Sequence, residues 1–475
     1  MGSASETEPG AVSARSVGPS ESDRTRALGD DASSEGGSEG GSGTRTWRKT
    51  RGSSSWASSD DACVAAMNGR IAETATVREL LSVAREARGE LNAVDVAAAW
   101  GRLAKLIVGI PGRDGASYAR ATGGRGKQSG GGDRGETNPL VALLSDETRR
   151  VAHEMPAAGI ATALWALAKL ASGGSEVSSR AARAVTDAAS AARVRRAMSA
   201  QDVAVAAWAL AKMAEQGVRV HGRGVRAVVN AVPRVAGTMS ARHAANTLWA
   251  FGKLVSKHPA AMDVRAVRAA VNAAERTAGE MNAQEVANTL RALAGLAWTR
   301  KVDVDAGAVA AVSGEVSRVA SEMIPQGVAN TAYALAKLSE RDVAADSRAV
   351  AALTRVTPRA ALEMSPQNVA NTLWSFAKLA QRGVEMDAEA VRVVNREVPR
   401  VIDAMKTQEV VNTLLAWGTL AGRWGDDEER LACIFHASWL LPLHARERKL
   451  YRQMTRREKR VVDWAHDAID RAWGA

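Results

Sequence analysis

One short phrase recurs along this chain and constrains its fold more than any other feature. Asn-Thr, preceded by Ala or Val, begins at residues 246, 288, 330, 371 and 412, and a Met lies seven residues before each Asn. The same spacing extends the series of anchors: Met155, Met198, Met239, Met281, Met323, Met364 and Met405, with Leu91 as a degenerate first member. Steps of 43, 41, 42, 42, 41 and 41 residues, without strand-like alternation, predict stacked helical hairpins.

Each repeat reads as two amphipathic helices. After the anchor, apolar residues recur at helical spacing, as between Val369 and Leu379, and before the next anchor they recur again, as between Val309 and Val319. Four residues directly after an anchor suit helix N-caps: Ser199, Ser240, Asn282 and Ser365. Because a hairpin with one apolar face per helix cannot stand alone, we expect an all-α fold, an α-solenoid of about eight hairpins with 41–43 residue repeats.

Composition divides the chain into three parts. Residues 1–62 are rich in Ser and Gly, and we expect a disordered N-terminal tail there. Residues 63–430 hold the solenoid, interrupted by a Gly-rich stretch at about 111–137 that predicts a flexible loop or an auxiliary Arg/Gly contact to nucleic acid. Residues 431–475 carry a dense basic cluster and are expected to cap the open end of the array, with a phosphate-binding patch as the alternative.

The overall charge bears on the kind of partner. The formal net charge is +11 and the isoelectric point about 10.0, which favours a polyanionic partner. Two cysteines in 475 residues indicate a reducing compartment. The chain has no apolar run long enough for a membrane span, so no membrane association is expected.

The polar face of the second helix carries a repeated set of side chains. Positions 3, 7, 10 and 14 after the anchor share this face and tend to hold Gln, Asn, an aromatic residue and Lys. Amides can hydrogen-bond base edges, rings can stack on bases, and ammonium groups can neutralise phosphate. The candidate RNA-binding residues are Gln201, Trp208, Lys212, Asn246, Trp249, Lys253, Gln284, Asn288, Gln326, Asn330, Tyr333, Lys337, Gln367, Asn371, Trp374, Lys378, Gln408 and Asn412.

Structural roles compete with these assignments. The Asn and Thr side chains can form an internal hydrogen-bond ladder, and the rings can pack between repeats instead of stacking on bases. A second basic series lies five residues before each Met anchor and predicts either a phosphate ladder or a solvated helix face: Arg150, Arg193, Arg234, Arg276, Arg318, Arg359 and Arg400. In the second case, ion pairs are expected with the Glu four residues after four of these arginines: Glu154, Glu280, Glu322 and Glu363.

The string Met-Ser-Pro-Gln-Asn-Val-Ala-Asn-Thr-Leu-Trp-Ser-Phe-Ala-Lys-Leu at 364–379 resembles the octotricopeptide repeat and, more broadly, the helical repeats of organellar proteins related to the FAST-kinase and RAP-domain group. The resemblance covers roughly residues 80–425. It implies sequence-selective binding of single-stranded RNA in a chloroplast or mitochondrion, in support of RNA stability, processing or translation. Other organellar ribonucleoprotein components are further implied partners.

An enzyme is not expected. The seven histidines do not recur in register, and no catalytic residues, cofactor or small-molecule substrate are predicted. No metal site is predicted either, because Cys433 and His436 supply only two neighbouring ligands. The alternative function is a protein-interaction solenoid that serves as a scaffold without direct RNA contact.

Overall fold

A computed structural model describes residues 59–108, 139–175, 177–299, 305–425 and 427–473. The loop expected at 111–137 lies outside the described residues. So does the tail expected at 1–62, except for residues 59–62, which begin a helix at Ser59–Glu73. Within the described residues the chain is helical and contains no strand, which confirms the all-α solenoid.

The helices form nine consecutive hairpins among the described residues. We number the hairpins 1 to 9 by their anchors, which are, in order, Leu91, Met155, Met198, Met239, Met281, Met323, Met364, Met405 and Met454. The first helices are Val77–Glu86, Pro139–Val151, Ser179–Ala188 with Ala192–Ala197, Gly222–Val235, Val264–Arg276, Ala306–Gly314 with Val316–Val319, Ser347–Ala361, Ala388–Arg396 with Val398–Val401, and Ala437–Leu450. The second helices are Ala93–Val108, Ala157–Ser172, Ala200–Glu215, Ala241–Lys257, Ala283–Trp298, Pro325–Ser339, Pro366–Gln381, Thr407–Trp424 and Arg456–Trp473.

The junction within a hairpin explains why Met marks the repeat. In most hairpins the first helix ends in a short 3₁₀ turn, as at Ala236–Thr238, and the anchor that follows takes an extended conformation. The anchor side chain is buried, whereas the next residue caps the second helix. All four predicted N-caps are confirmed: Ser199, Ser240, Asn282 and Ser365 each accept a hydrogen bond from a backbone amide of the first turn.

The core follows the predicted apolar stripes. The stripe from Val369 to Leu379 in hairpin 7 is buried, and so is the stripe from Val309 to Val319 in the first helix of hairpin 6. Each stripe packs against its own hairpin and the next one, so the core is continuous along the array.

The second helices pack more closely than the first helices do. They contact one another far more extensively along the array. Gly252 shows how tight the approach is, because a Cβ atom added there would lie 3.3 Å from the Cα atom of Ala292 in the next second helix. A stack with one tightly spaced row is expected to curve toward that row, so we infer that the second helices line the concave face of the solenoid.

Hairpin 9 lies within the segment expected to cap the array. Thr455 follows Met454 and caps Arg456–Trp473, and the carboxylate of Glu458 accepts a hydrogen bond from the backbone amide of Thr455. That helix packs along Thr407–Trp424, as the second helices do elsewhere. Among the described residues, no helix has both the length and the apolarity to cross a bilayer.

Candidate nucleic-acid interface

Three lanes of side chains run along the concave face, across the second helices. The amide lane contains Gln201, Gln284, Gln326, Gln367 and Gln408 at position 3, and Asn246, Asn288, Asn330, Asn371 and Asn412 at position 7. The ring lane at position 10 contains Trp208, Trp249, Tyr333 and Trp374. The lysine lane at position 14 contains Lys212, Lys253, Lys337 and Lys378. Since an α-helix rises about 1.5 Å per residue, the Asn and lysine positions are roughly 10 Å apart along each helix.

The amide lane is open to solvent. Gln201, Gln284 and Gln326 are exposed, whereas the Asn side chains are half-buried. None of Asn246, Asn288, Asn330 or Asn371 makes a side-chain hydrogen bond to another described residue. An exception lies in hairpin 8, where Nε2 of Gln408 donates to Oδ1 of Asn412 at 2.8 Å.

The Thr that follows each Asn points inward instead. All five of these Thr side chains are fully buried, and the hydroxyl of Thr247 donates to the carbonyl of His243 at 2.8 Å. The two residues of the Asn-Thr phrase therefore lie on different faces of the helix: Thr packs in the core and Asn faces the groove. The internal Asn ladder considered above does not form among the described residues.

The ring lane is covered by cations from neighbouring hairpins. Nζ of Lys169 lies 5.6 Å from the ring centroid of Trp208, and Nζ of Lys212 lies 5.0 Å from that of Trp249. Nζ of Lys337 similarly lies 4.8 Å from the ring centroid of Trp374. Such cation–π contacts contribute about 0.5–1 kcal/mol each when exposed and more when desolvated.

Tyr333 and Trp374 show how little ring surface remains free. Their centroids are 5.3 Å apart, the guanidinium carbon of Arg291 lies 4.1 Å from the Tyr333 ring, and Trp374 is only 7% exposed. This arrangement favours packing between repeats for Trp374 over stacking on a base. A base that stacked on the lysine-covered face of the half-buried Trp208 or Trp249 ring would have to displace that lysine.

The lysine lane is less exposed than the sequence predicts. Lys212 and Lys337 are each 8% exposed, because the rings of the next hairpin and an acidic residue at position 17 surround them. Glu215 lies 3.8 Å from Nζ of Lys212 and 2.7 Å from Nζ of Lys253.

Glu340 has the same position in hairpin 6. Its carboxylate accepts a hydrogen bond from Nζ of Lys337 at 2.8 Å. Burial lowers the pKa of Lys378, and the charges of Lys337 and Arg382 lower it further, while Glu340 acts in the opposite direction. The two glutamates therefore reduce the positive charge that this lane offers to a phosphate.

Several members of the lanes escaped the sequence analysis. Trp165 and Lys169 hold positions 10 and 14 of hairpin 2, and Trp464 holds position 10 of hairpin 9, where it is 40% exposed. Counting from Met155 and Met454 would have found all three. Glu215 and Glu340 could have been found by extending the same count to position 17.

The arginine series is exposed, as a solvated helix face predicts, but it also has a structural role that the sequence did not predict. Each arginine donates to the anchor carbonyl of the preceding hairpin: Arg276 to Met239 at 2.9 Å, Arg318 to Met281 at 2.7 Å, and Arg359 to Met323 at 3.0 Å. Arg150, Arg193, Arg234 and Arg400 make the same contact with Leu91, Met155, Met198 and Met364. These bonds join consecutive hairpins.

The ion pairs predicted for this series are wrong. Arg150, Arg318 and Arg400 pair with Glu147, Glu315 and Glu397, which lie three residues before them instead of four residues after. The guanidinium group is held by the preceding anchor carbonyl, and from there it reaches back along its own helix.

Comparisons with known proteins give no family for this chain. No protein-family model and no curated protein sequence matches it. Among solved structures it is similar to a circular tandem repeat protein, with 16% identity, 81% of this chain and 98% of that chain covered, and a TM-score of 0.27. It is also similar to yeast Rmd9p, solved in complex with a 16-nucleotide target RNA, with 10% identity, 83% and 86% coverage, and a TM-score of 0.26. At such TM-scores no conclusion about this chain rests on either likeness.

Proposed function

We propose that the concave face binds single-stranded RNA, with the amide lane reading bases and the lysine lane accompanying the phosphates. Sequence selectivity would come from the Gln and Asn amides, which carry both donors and acceptors. The observation that carries the proposal is the row of Asn side chains that lack internal partners, because a polar group left without a partner in a groove is available to a ligand.

The order of the lanes supports an extended polymer as the ligand. Amides, rings and lysines keep the same order in hairpins 3, 4, 6 and 7, whereas hairpins 5 and 8 carry the amides alone, so the amide lane is the part that continues from one unit of a chain to the next. The roughly 10 Å between the Asn and lysine positions suits a nucleotide that reaches from its phosphate to its base edge. The overall charge of +11 also favours an anionic polymer.

The cellular setting is proposed on the resemblance of 364–379 to octotricopeptide repeats. The chain would act in a chloroplast or mitochondrion, in RNA stability, processing or translation, together with other ribonucleoprotein components. Recovery of crosslinked RNA from fractionated organelles would test this part of the proposal. Recovery only from the cytosol would contradict it.

A binding experiment tests the interface itself. We expect unstructured single-stranded RNA to bind more tightly than duplex RNA or duplex DNA, with affinity falling steeply as salt rises. Replacing Asn246, Asn288, Asn330 and Asn371 together by Ala should weaken RNA binding at least about tenfold and flatten the preference among sequences, since each lost base contact costs about 1–3 kcal/mol. The fold should survive, because these amides hold no other part of the protein.

A matched control separates the groove from a general loss of amides. Asn230 and Asn272 are exposed on first helices, and their replacement by Ala should leave RNA affinity unchanged. Equal affinity for single-stranded and duplex RNA, or an unchanged affinity in the quadruple variant, would contradict the groove proposal. A wild-type protein that binds no RNA would instead point to the scaffold alternative.

A further inference from the structure

Three metal-ligating side chains converge in hairpin 9. His444 and Glu447 lie three residues apart on one face of Ala437–Leu450, and His466 meets them from Arg456–Trp473. Nδ1 of His444 lies 3.3 Å from Oε2 of Glu447, and Nε2 of His466 lies 2.9 Å from the same oxygen. The ligand atoms of the three residues all lie within 4.8 Å of one another.

The surroundings of this cluster suit a cation. The Glu447 carboxylate is buried, and a buried carboxylate needs a positive partner. Asp463 and Asp470, each within about one turn of His466, add negative charge on the same helix.

The two histidines are partly open to solvent. Their side chains keep about a quarter of their surface, 22% for His444 and 31% for His466, which leaves a path for an ion to reach the carboxylate. Their rings stack with centroids 4.8 Å apart.

We propose that His444, Glu447 and His466 bind one divalent transition-metal ion of the zinc type. Zinc takes His nitrogen and carboxylate oxygen at about 2.0–2.2 Å, so the ligand atoms of a tetrahedral site lie roughly 3.4 Å apart. The two separations from Glu447, 3.3 Å and 2.9 Å, are close to that distance. Two imidazoles with one carboxylate favour zinc over magnesium or calcium, and three protein ligands leave a fourth position for water.

The position of this site in the array gives it a role. Hairpin 9 packs against a hairpin on one side only among the described residues, so it lacks half of the contacts that hold the internal hairpins. A metal ion joining His444 and Glu447 of the first helix to His466 of the second would fasten the two helices together. The site is independent of RNA binding along the concave face.

Metal titration of the untagged, full-length protein tests the proposal. After dialysis against a chelator, Zn²⁺ should bind with a stoichiometry of one by calorimetry, and Co²⁺ should give the visible absorption of a four-coordinate ion. Glu447→Gln and His466→Gln should each weaken binding by more than the 10–100-fold typical of losing a residue that only hydrogen-bonds to a metal ligand. The control is His153→Gln, an exposed histidine far along the chain, which should bind like wild type.

Two outcomes would overturn the assignment. One is a wild-type protein that takes up no stoichiometric Zn²⁺ or Co²⁺, which would show that the cluster is an ion pair only. The other is undiminished binding by folded Glu447→Gln and His466→Gln proteins, which would place the metal elsewhere. If a single substitution unfolds hairpin 9, His444→Gln and the cobalt spectrum of the wild type still decide the question, because the band intensity reports the coordination number and a thiolate ligand would add intense charge-transfer bands.

Discussion

Glu215 and Glu340 decide how much positive charge the lysine lane can offer to RNA. Glu215 bridges lysines of two consecutive hairpins, and Glu340 binds Lys337, so a phosphate must compete with a carboxylate at both places. Lysines that look like free phosphate contacts in the sequence are therefore partly neutralised in the fold. The competing carboxylates would favour ligands that gain energy from base contacts as well as from charge.

Removing these carboxylates should strengthen RNA binding. We expect the double variant Glu215→Gln, Glu340→Gln to bind single-stranded RNA more tightly than wild type. The slope of log affinity against log salt should steepen by about 0.7 for each additional phosphate that the lysines neutralise. Fluorescence anisotropy at several salt concentrations measures both effects.

The matched control for this variant is Glu363→Gln, at an exposed glutamate near the end of a first helix. This substitution should change neither the RNA affinity nor the salt slope. Because the glutamates also hold the buried Lys212 and Lys337, folding of the variant must be verified by circular dichroism. A folded variant with unchanged affinity and slope would show that phosphates do not follow the lysine lane.

At the scale of the helices, the arginine series joins one hairpin to the next. Each guanidinium donates to a carbonyl of the preceding anchor, where the extended Met conformation leaves that carbonyl outside the helical hydrogen-bond pattern. A hydrogen bond from a charged group contributes about 1.5–3 kcal/mol. The series therefore contributes to the stability of the array and leaves the groove to the second helices.

Substitution of Arg318 tests this structural role. Arg318→Gln should lower the free energy of unfolding by about 1.5–3 kcal/mol, because the carbonyl of Met281 loses its charged partner. RNA affinity and its salt dependence should stay as in wild type. Urea denaturation measures the free energy of unfolding. The control is Arg268→Gln, since Arg268 is exposed on a neighbouring first helix. A variant that is as stable as wild type but has a shallower salt slope would indicate that the arginine series binds phosphates.

The helices could be predicted from the sequence, but the contacts between hairpins could not. The Met register, the caps and the apolar stripes are local, so periods of 3.6 and about 42 residues reveal them. The partner of Arg318 lies 37 residues away, and the cation over Trp249 comes from the preceding hairpin. Such contacts depend on how tightly the second helices approach, which a single sequence does not encode in any one segment.

Hairpin 9 escaped the sequence analysis for a similar reason. Its anchor, Met454, comes 49 residues after Met405, because the short helix Glu428–Ala432 is inserted between the two hairpins. The metal ligands were missed along with it. His444 and Glu447 have an unremarkable spacing, and only the pairing of the two helices brings His466 beside them.

The whole array presents its amide lane over six consecutive hairpins, from Gln201 in hairpin 3 to Asn412 in hairpin 8. If neighbouring hairpins address neighbouring nucleotides, as in other one-base-per-repeat solenoids, the lane holds about six nucleotides. Affinity should then rise with probe length up to roughly six nucleotides and level off beyond it, apart from the small statistical advantage of longer probes. A series of unstructured oligonucleotides from three to twelve residues, measured by anisotropy at fixed salt, gives the curve of affinity against length.

The quadruple Asn→Ala variant should lose most of this rise in affinity, because its remaining contacts are to phosphate. A wild-type curve that climbs steadily through twelve nucleotides would mean that RNA is held by charge along the whole solenoid, without a defined register on the amide lane.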